Sequence, residues 1–558
     1  MLNLGIDFGS TYTTVSVYRQ ETGMVESISM ASSPYIPSMV AQVGDKYEFA
    51  RAAKSRIGRR GVNVFRGFKM LLPETGTEAL AARGYAGGNM PREIARRFLD
   101  YCLRQALEIL HETQVDNLVV GAPEIWNESI GTMDGRTVLR NIFQGMDCVK
   151  HVQVASEPAA ATAFFAHNFQ LCTGKPYEGC ILLIDYGGGT LDITLTSVSA
   201  AGAAGAMEIK VLERTGAGEN VEGKIGQAGI VYMETVMAQA IAQSGVLEGQ
   251  PLKTDSRFFK AVDSLEEELQ FRTDAIRETF DEYGLEDLED LEQEFTAVDY
   301  MGQEIPVTYR LLVEVYNREI RPVLGEKLDL MIGYMKEKGI PYLDRTQDNF
   351  KIALVGGFGN YYLVKKQIEE KFAFSTMDRR QADIIQNQSD REKAISLGAA
   401  MLSAGVITIR NTAPYSIGIF GRDADGKPCI DYAFTYKQEI VFDQPYFPLD
   451  KESGKVIRYL VTSGRISRFI INRGSDDSTA MVVPVKPDFA GRLENVVSSP
   501  FWTAAIGFSL DASGVLSIHI RDYDMHTQTL GEDHKVELTR FSDLFALTKV
   551  KRVMDDEI

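Results

Sequence analysis

With 558 residues, 44% of them apolar, the chain can form several domains with real cores and is not a disordered protein. A formal net charge of −18 and a pI near 5.0 argue against nucleic-acid binding, because a polyanion would be repelled over most of such a surface. Cys102, Cys148, Cys172, Cys180 and Cys429 are scattered without a C-x-x-C pair and read as reduced thiols of a cytoplasmic protein with no zinc site; MLNLGIDFGS carries no basic leader, and no apolar run reaches the ~18 residues of a membrane span.

The chain opens at Leu4 to Val17 with LGIDFGSTYTTVSV, read as strand, tight turn, strand. Met24 to Ala50 reads as short strands and turns. The basic stretch Arg56 to Lys69 is a solvated face, apart from Lys69, which stands before the apolar pair Leu71 and Leu72. Pro91 opens an amphipathic helix with Ile94, Phe98, Cys102, Ala106 and Ile109 on its apolar face. Leu118 to Ala122 is a buried strand stopped by Pro123. VQVASEPAAATAFFA, from Val152 to Ala166, is a short strand, a capping Ser156 and an alanine-rich helix begun by Glu157-Pro158; a glutamate there complements the helix dipole.

ILLIDYGGGTLDITL, from Ile181 to Leu195, repeats the grammar of the N-terminus. Gly187, Gly188 and Gly189 exceed what a two-residue hairpin needs. Glycine lets backbone amides approach a ligand closely, so each Gly/Ser/Thr turn can form a nest of N–H groups around phosphate oxygens. Asp7 or Asp185, ending the incoming strand, would repel phosphate unless a hydrated cation lay between, and Asp192 can share that cation through water. The matched pair points to metal-bound nucleotide held from both sides, with magnesium or potassium suited to oxygen ligands. The plainer alternative is a pair of ordinary glycine hairpins.

Gly216 to Gly229, GAGENVEGKIGQAG, is a glycine-rich connection. Lys260 to Phe295 reads as helical and acidic, with a solvated face over Glu278 to Glu294 and an i,i+4 pair at Glu268 and Arg272. IALVGGFG, from Ile352 to Gly359, is a strand entering a glycine turn, followed by a helix through Val364 to Phe372 and another at Ala394 to Ala400. After Ala404-Gly405 the text changes to short alternating strands at Tyr415 to Ile419, Leu460-Val461, Phe469 to Ile471, Met481 to Val483 and Ile506 to Leu510. Histidines, serines and cysteines form no recognisable nucleophile constellation.

These motifs resemble those of the actin, sugar kinase and heat-shock ATPase superfamily, and within it the DnaK-type 70-kDa heat-shock chaperones. IDYGGGTLD is similar to the family's D-x-G-G-G-T-x-D, SEPAAATA to its N-E-P-T-A-A-A, and LVGGFGN to its L-V-G-G-S-T-R. The resemblance implies an α/β chain: a duplicated actin-like (ribonuclease H-like) two-lobe ATPase domain over 1–405, with the lobes dividing near 178, then a linker at 406–411 and a β-sandwich over 412–558. TAPYSIGI and IGFSLDASGVLSIHI correspond to two pieces of that β domain.

It further implies ATP or ADP with magnesium, potassium being a further candidate. Phosphate contacts fall on Gly9, Ser10, Thr11, Tyr12, Gly187, Gly188, Gly189 and Thr190, and the cation on Asp7, Asp185 and Asp192. Lys69, Glu157 and Asp185 are the implied catalytic groups around the attacking water, Pro123 part of an interlobe switch, and Glu268, Arg272, Gly356, Gly357 and Phe358 the adenosine-side contacts. Phe358 and Asn360 stand where serine and arginine are usual, so the guanidinium that packs on adenine is missing and Tyr361 is the aromatic expected to substitute. Val406 to Asn411 lacks the family's leucine-rich linker, and too little chain follows the last strand for a helical lid, which makes this a divergent, lidless relative. The expected function is slow ATP hydrolysis coupled to binding of unfolded polypeptide, with a J-domain co-chaperone and a nucleotide exchange factor as implied partners. An ATP-gated adaptor or scaffold for one client protein is the second reading and a small-molecule kinase the third.

Overall fold

Both stretches built on Ile-Asp-aromatic-Gly fold as antiparallel hairpins in the computed structural model. It describes residues 1–127, 133–200, 207–218, 228–247, 251, 255–285, 288–343, 349–372, 391–410, 412–422, 428–460, 468–472, 477, 480–487, 489, 503–524, 526–527, 529–538, 540–546, 549 and 551–552. In the first hairpin Asn3–Phe8 (β1) pairs with Tyr12–Arg19 (β2), Asp7 opposite Thr14. Met24–Ser27 (β3) and Ile36–Pro37 (β4) also pair with β2. Met39–Val43 (β5), Lys46–Phe49 (β6) and Val62–Arg66 (β7) form a separate sheet with β5 in the middle.

Val115–Ala122 (β8) and Val149–Ser156 (β9) add parallel strands, giving the order β3-β2-β1-β8-β9. Parallel neighbours need a crossover, and the helix Pro91–Leu110 lies in the one that leads to β8. Ile94, Phe98, Cys102 and Ala106 are fully buried on it, whereas Ile109, expected on the same face, is 45% exposed because the buried stripe runs through Leu99, Leu103 and Leu107 and leaves position 109 to one side.

The second hairpin joins Gly179–Tyr186 (β10) to Thr190–Ser199 (β11), with Asp185 directly opposite Asp192, and Met207–Gly218 (β12) continues the meander. Glu294–Tyr300 (β13) and Gln303–Thr308 (β14) form a hairpin of their own, so the expectation of helix through Phe295 fails at its end. Thr296, Val298 and Tyr300 are buried with exposed Ala297 and Asp299 between them, the period of two that defines a half-buried strand. Phe350–Val355 (β15) runs parallel to β10, and with Ile407–Arg410 (β16) the sheet order is β15-β10-β11-β12-β16. Each large sheet thus has an antiparallel meander whose first strand carries a parallel neighbour on its other side, β8 or β15.

The helix Glu157–Thr173 begins at the expected cap, where the Ser156 hydroxyl accepts from the Ala159 N–H at 3.3 Å. It packs against the helix Ala394–Ser403 backbone to backbone: a Cβ on Gly398 would fall 1.7 Å from the Ala160 carbonyl oxygen. Neither backbone can yield without moving a helix. Gly398→Ala is therefore expected to destabilise the fold by about 1–3 kcal/mol, read as a lower thermal midpoint; an unchanged midpoint would contradict the packing.

By contacts the chain forms two compact units, Met1–Ile125 with Ile142–Thr408, and Trp126–Asn141 with Ile409–Ile558. In the second, Ser416–Arg422 (β17), Pro428–Phe434 (β18), Tyr459–Leu460 (β19), Arg468–Asn472 (β20), Met481–Pro484 (β21), Thr503–Leu510 (β22), Leu516–Asp524 (β23), Thr529–Glu537 (β24) and Lys551–Arg552 (β25) build two sheets, β18-β17-β20-β21-β25 and β19-β22-β23-β24. Ile417, Ile419 and Phe469 of one share a core with Ile506, Phe508, Ile518 and Ile520 of the other. Val461, expected in a strand with Leu460, lies outside the described residues.

The sequence expectation keeps 126–141 with the first 405 residues; the structure groups them with the second unit. Within that unit Met133 packs against the core, Arg136 donates to the Ser513 carbonyl at 2.9 Å, Arg140 pairs with Asp511 and Glu537, and Asp134 accepts from the Ser542 hydroxyl at 2.7 Å. Among the described residues no helix is long and apolar enough to cross a membrane.

Candidate functional site

The two glycine turns meet. Gly187 N–H donates to the Thr190 carbonyl at 2.9 Å and closes the second turn, while Gly187 and Gly188 carbonyls accept from Gly229 and Ile230 at the start of the helix Gly229–Ser244. A Cβ on Gly188 would lie 2.4 Å from Thr11 Oγ1, and one on Gly189 would lie 2.3 Å from Ser10 Oγ. Side chains of the first turn therefore rest on the backbone of the second. Tyr12 stands edge-on to Tyr35, with ring centroids 6.4 Å apart.

Beside the turns lies a buried ionic cluster. Lys69 Nζ and Glu157 Oε1 are 2.6 Å apart, and the two residues are 3% and 2% exposed. Burial by itself would push the Lys69 ammonium down, but the carboxylates of Glu157 and Asp7 outweigh it and hold its pKa above the ordinary value. Asp7, half-buried, is pushed up to about 7 by desolvation and by Glu157, against the pull of Lys69. Asp185 and Asp192 are raised well above the carboxylate range, first by burial and then by Glu157 and their other acidic neighbours. Asp192 Oδ1 accepts the Glu124 N–H at 2.7 Å, while its Oδ2 is buried with no hydrogen-bond partner. Asp7, Glu157, Asp185 and Asp192 thus share one ammonium, an excess of negative charge that a cation would relieve.

The sign of one consequence follows directly. Without divalent cation the folded Asp7 carboxyl keeps its proton to about 7, whereas the unfolded one loses it near 3.8, so the destabilisation is absent below the lower value and complete above the upper. In EDTA, Asp7→Asn is expected to gain stability over the native chain by on the order of 2 kcal/mol more at about pH 8 than at about pH 5. A pH-independent difference in thermal midpoint would contradict it.

Gly356 belongs to the same cluster. Its φ is +80°, and a Cβ there would lie 2.5 Å from both Asp185 Oδ1 and the Tyr186 carbonyl oxygen, so glycine is required on both counts. Gly357 is exposed beside it, and Phe358 is half-buried. Tyr361 does not take the place expected of it: the residue is 7% exposed, its hydroxyl lies 2.8 Å from that of Tyr232, and its ring stacks on Phe358 with centroids 5.5 Å apart. The ring left partly uncovered is Phe358. Glu268 and Arg272 pair with each other at 2.7 Å, and Arg272 donates to the Phe295 carbonyl, so their bonds do not go to the glycine turns. On the same helix, Ser256–Phe271, it is Asp263 and Glu267 that reach the N-terminal part of the chain, each 3.1 Å from Lys54 Nζ. Of the glycine-rich connection expected at 216–229, residues 219–227 lie outside the described residues.

Two arrangements escaped the sequence. Glu124, 0% exposed, touches Asp192 through its amide and pairs with Arg214 through its carboxylate. The available signal was an acid immediately after a proline that ends a buried strand, a place where an ordinary loop acid would face water. In the second unit Ser509 Oγ lies 2.8 Å from His519 Nε2, and His519 Nδ1 lies 2.8 Å from Asp533 Oδ2. Ser509 is 1% and His519 3% exposed, so no substrate reaches that hydroxyl in the folded chain, and the relay serves to pair polar groups on the sheet face opposite the core.

In an alignment of 239 positions that covers 37% of its length, the chain is 28% identical to a heat shock cognate HSP70 protein of Trypanosoma brucei brucei. The chain is a distant, partial relative of the HSP70 family. The match spans 32% of that HSP70 protein, about a third of its length, and no protein-family model matches the chain. The mixed α/β architecture with several sheets fits an HSP70-like fold.

Proposed function

We propose that the first 405 residues are an ATPase of the duplicated actin-like, ribonuclease H-like kind, and that 412–558 form a β-sandwich whose grip on unfolded polypeptide depends on nucleotide state. The observation that carries the ATPase reading is the meeting of two glycine turns beside the Lys69–Glu157 pair and the carboxyls of Asp7 and Asp185. The repeated strand order of the two large sheets supports the duplication. The HSP70 relationship supports the chaperone-like part and the client and co-chaperone partners that go with it.

In this reading the amides of Gly9 to Thr11 and Gly187 to Thr190 hold the phosphates, with Gly356, Gly357 and Phe358 on the base side. The residues present fit a hydrated magnesium ion: Asp192 keeps a buried oxygen without a partner, and the raised carboxyls gain from a neighbouring cation. Among the described residues no three His, Cys, Asp or Glu side chains converge as direct ligands, so the contacts to such an ion would run through its water. Asp7, Asp185 and Asp192 would hold it, and when bound it supplies charge neutralisation at the phosphate oxygens. Lys69, fixed by Glu157, offers an ammonium at the terminal phosphate, and the carboxylate it leaves free orients water for in-line attack. Chemistry of this kind rests on positioning and electrostatics.

The test is ATP turnover by the intact chain with and without a reduced, unfolded polypeptide. Turnover that rises with polypeptide is the expected result. Turnover indifferent to polypeptide would replace the chaperone reading by that of an ATP-gated adaptor, phosphorylation of a small molecule would replace it by a kinase, and failure to bind ATP would remove the site assignment.

A further inference from the structure

Glu124 is a buried charged group that the proposed chemistry leaves unused. It follows Pro123 at the end of β8, in a short turn of helix, and is 0% exposed. Its N–H holds Asp192 Oδ1 at 2.7 Å. Its carboxylate accepts from the Ser156 hydroxyl and, at 3.1 Å, from the Arg214 guanidinium. Ser156 caps the helix whose first residue is Glu157, the partner of Lys69. Arg214 lies on β12 beside Gly216, where a Cβ would stand 3.2 Å from Asp192 Oδ1 and 3.5 Å from the Ile125 amide nitrogen. Glycine at 216 leaves the space in which the turn closes on Asp192.

We infer that Glu124 is a positioning residue for the nucleotide site, an inference that rests on the ATPase reading above. One carboxylate ties the ends of β8 and β9 to β12, and through two intermediaries it sets both sides of the reacting centre: its own N–H orients Asp192, and Ser156 orients the first turn that carries Glu157. An apolar residue would fill the same space without the desolvation cost of a buried ion pair, so packing alone does not account for an acid here. Directional bonds do. They fix a backbone N–H and a helix cap in relation to each other, as groups supporting a ligating carboxylate commonly do.

The test uses the full chain with Mg-ATP and Mg-ADP. Glu124→Ala is expected to slow single-turnover hydrolysis by about 10- to 100-fold, while KM for ATP and the calorimetric affinity for ADP stay within about twofold. Because that variant also takes from Arg214 the carboxylate 3.1 Å away, Glu124→Gln is compared with Glu124→Gln combined with Arg214→Met. The single change should be slow; the pair, which keeps an acceptor for Ser156 and removes the cation that Glu124 had neutralised, should return to within about fivefold of the native rate. Three results overturn the inference: native rates in Glu124→Ala, equal rates in the single and double Gln variants, or a loss of ADP affinity and thermal midpoint that tracks the loss of rate. A native chain that binds ADP but hydrolyses no ATP would instead remove the ATPase reading, and the inference with it, without reference to any variant.

Discussion

Lys69→Ala is expected to lower ATP turnover by about 100-fold or more, because the change removes the ammonium that Glu157, Asp7, Asp185 and Asp192 share. Two effects add. In the ATPase reading the developing charge at the phosphate would lose its protein cation, and the carboxylates left behind would repel one another in a buried setting, which should also cost about 3–5 kcal/mol of stability in the absence of nucleotide. Single-turnover hydrolysis and a thermal midpoint in EDTA measure the two separately. Native turnover in a folded variant would remove Lys69 from the site; an unchanged midpoint would show that the acids protonate instead of repelling.

Gly188→Val is expected to weaken ADP binding by about 100-fold or more, since the new side chain must occupy the space of Thr11 Oγ1 and force the two turns apart. Gly188 is partly exposed in a turn, so the fold should survive, and the loss should appear in calorimetric titration and not in the thermal midpoint of the free protein. Undiminished affinity would mean that the contact between the turns is structural and that phosphate binds elsewhere. A lowered midpoint with intact affinity would carry the same conclusion.

The closing contrast concerns distance along the chain. Local patterns alone determined the hairpins on either side of Asp7 and Asp185, the Ser156 cap, the helix from Pro91 and the alternating strands after 415, because turn chemistry, capping and hydrophobic period act between near neighbours. Matching text at both ends of the first 195 residues also indicated that two turns belong together, and the structure does bring Ser10 and Thr11 against Gly189 and Gly188. The hairpin at Glu294–Tyr300 was legible in its period of two and hidden by the acidic run before it.

Only tertiary structure decided the rest. Nothing in the text ties Glu124 to Asp192, Ser156 and Arg214, joins Ser509, His519 and Asp533 across three strands, or sends 126–141 into the unit formed by 409–558. Tyr361 had the right chemistry for a stacking surface, yet its hydroxyl found Tyr232 and its face found Phe358, so it was buried before it could meet a ligand. A side chain's partner is whichever group the fold carries past it, and for residues this far apart in sequence that depends on strand order and register, which no local window contains.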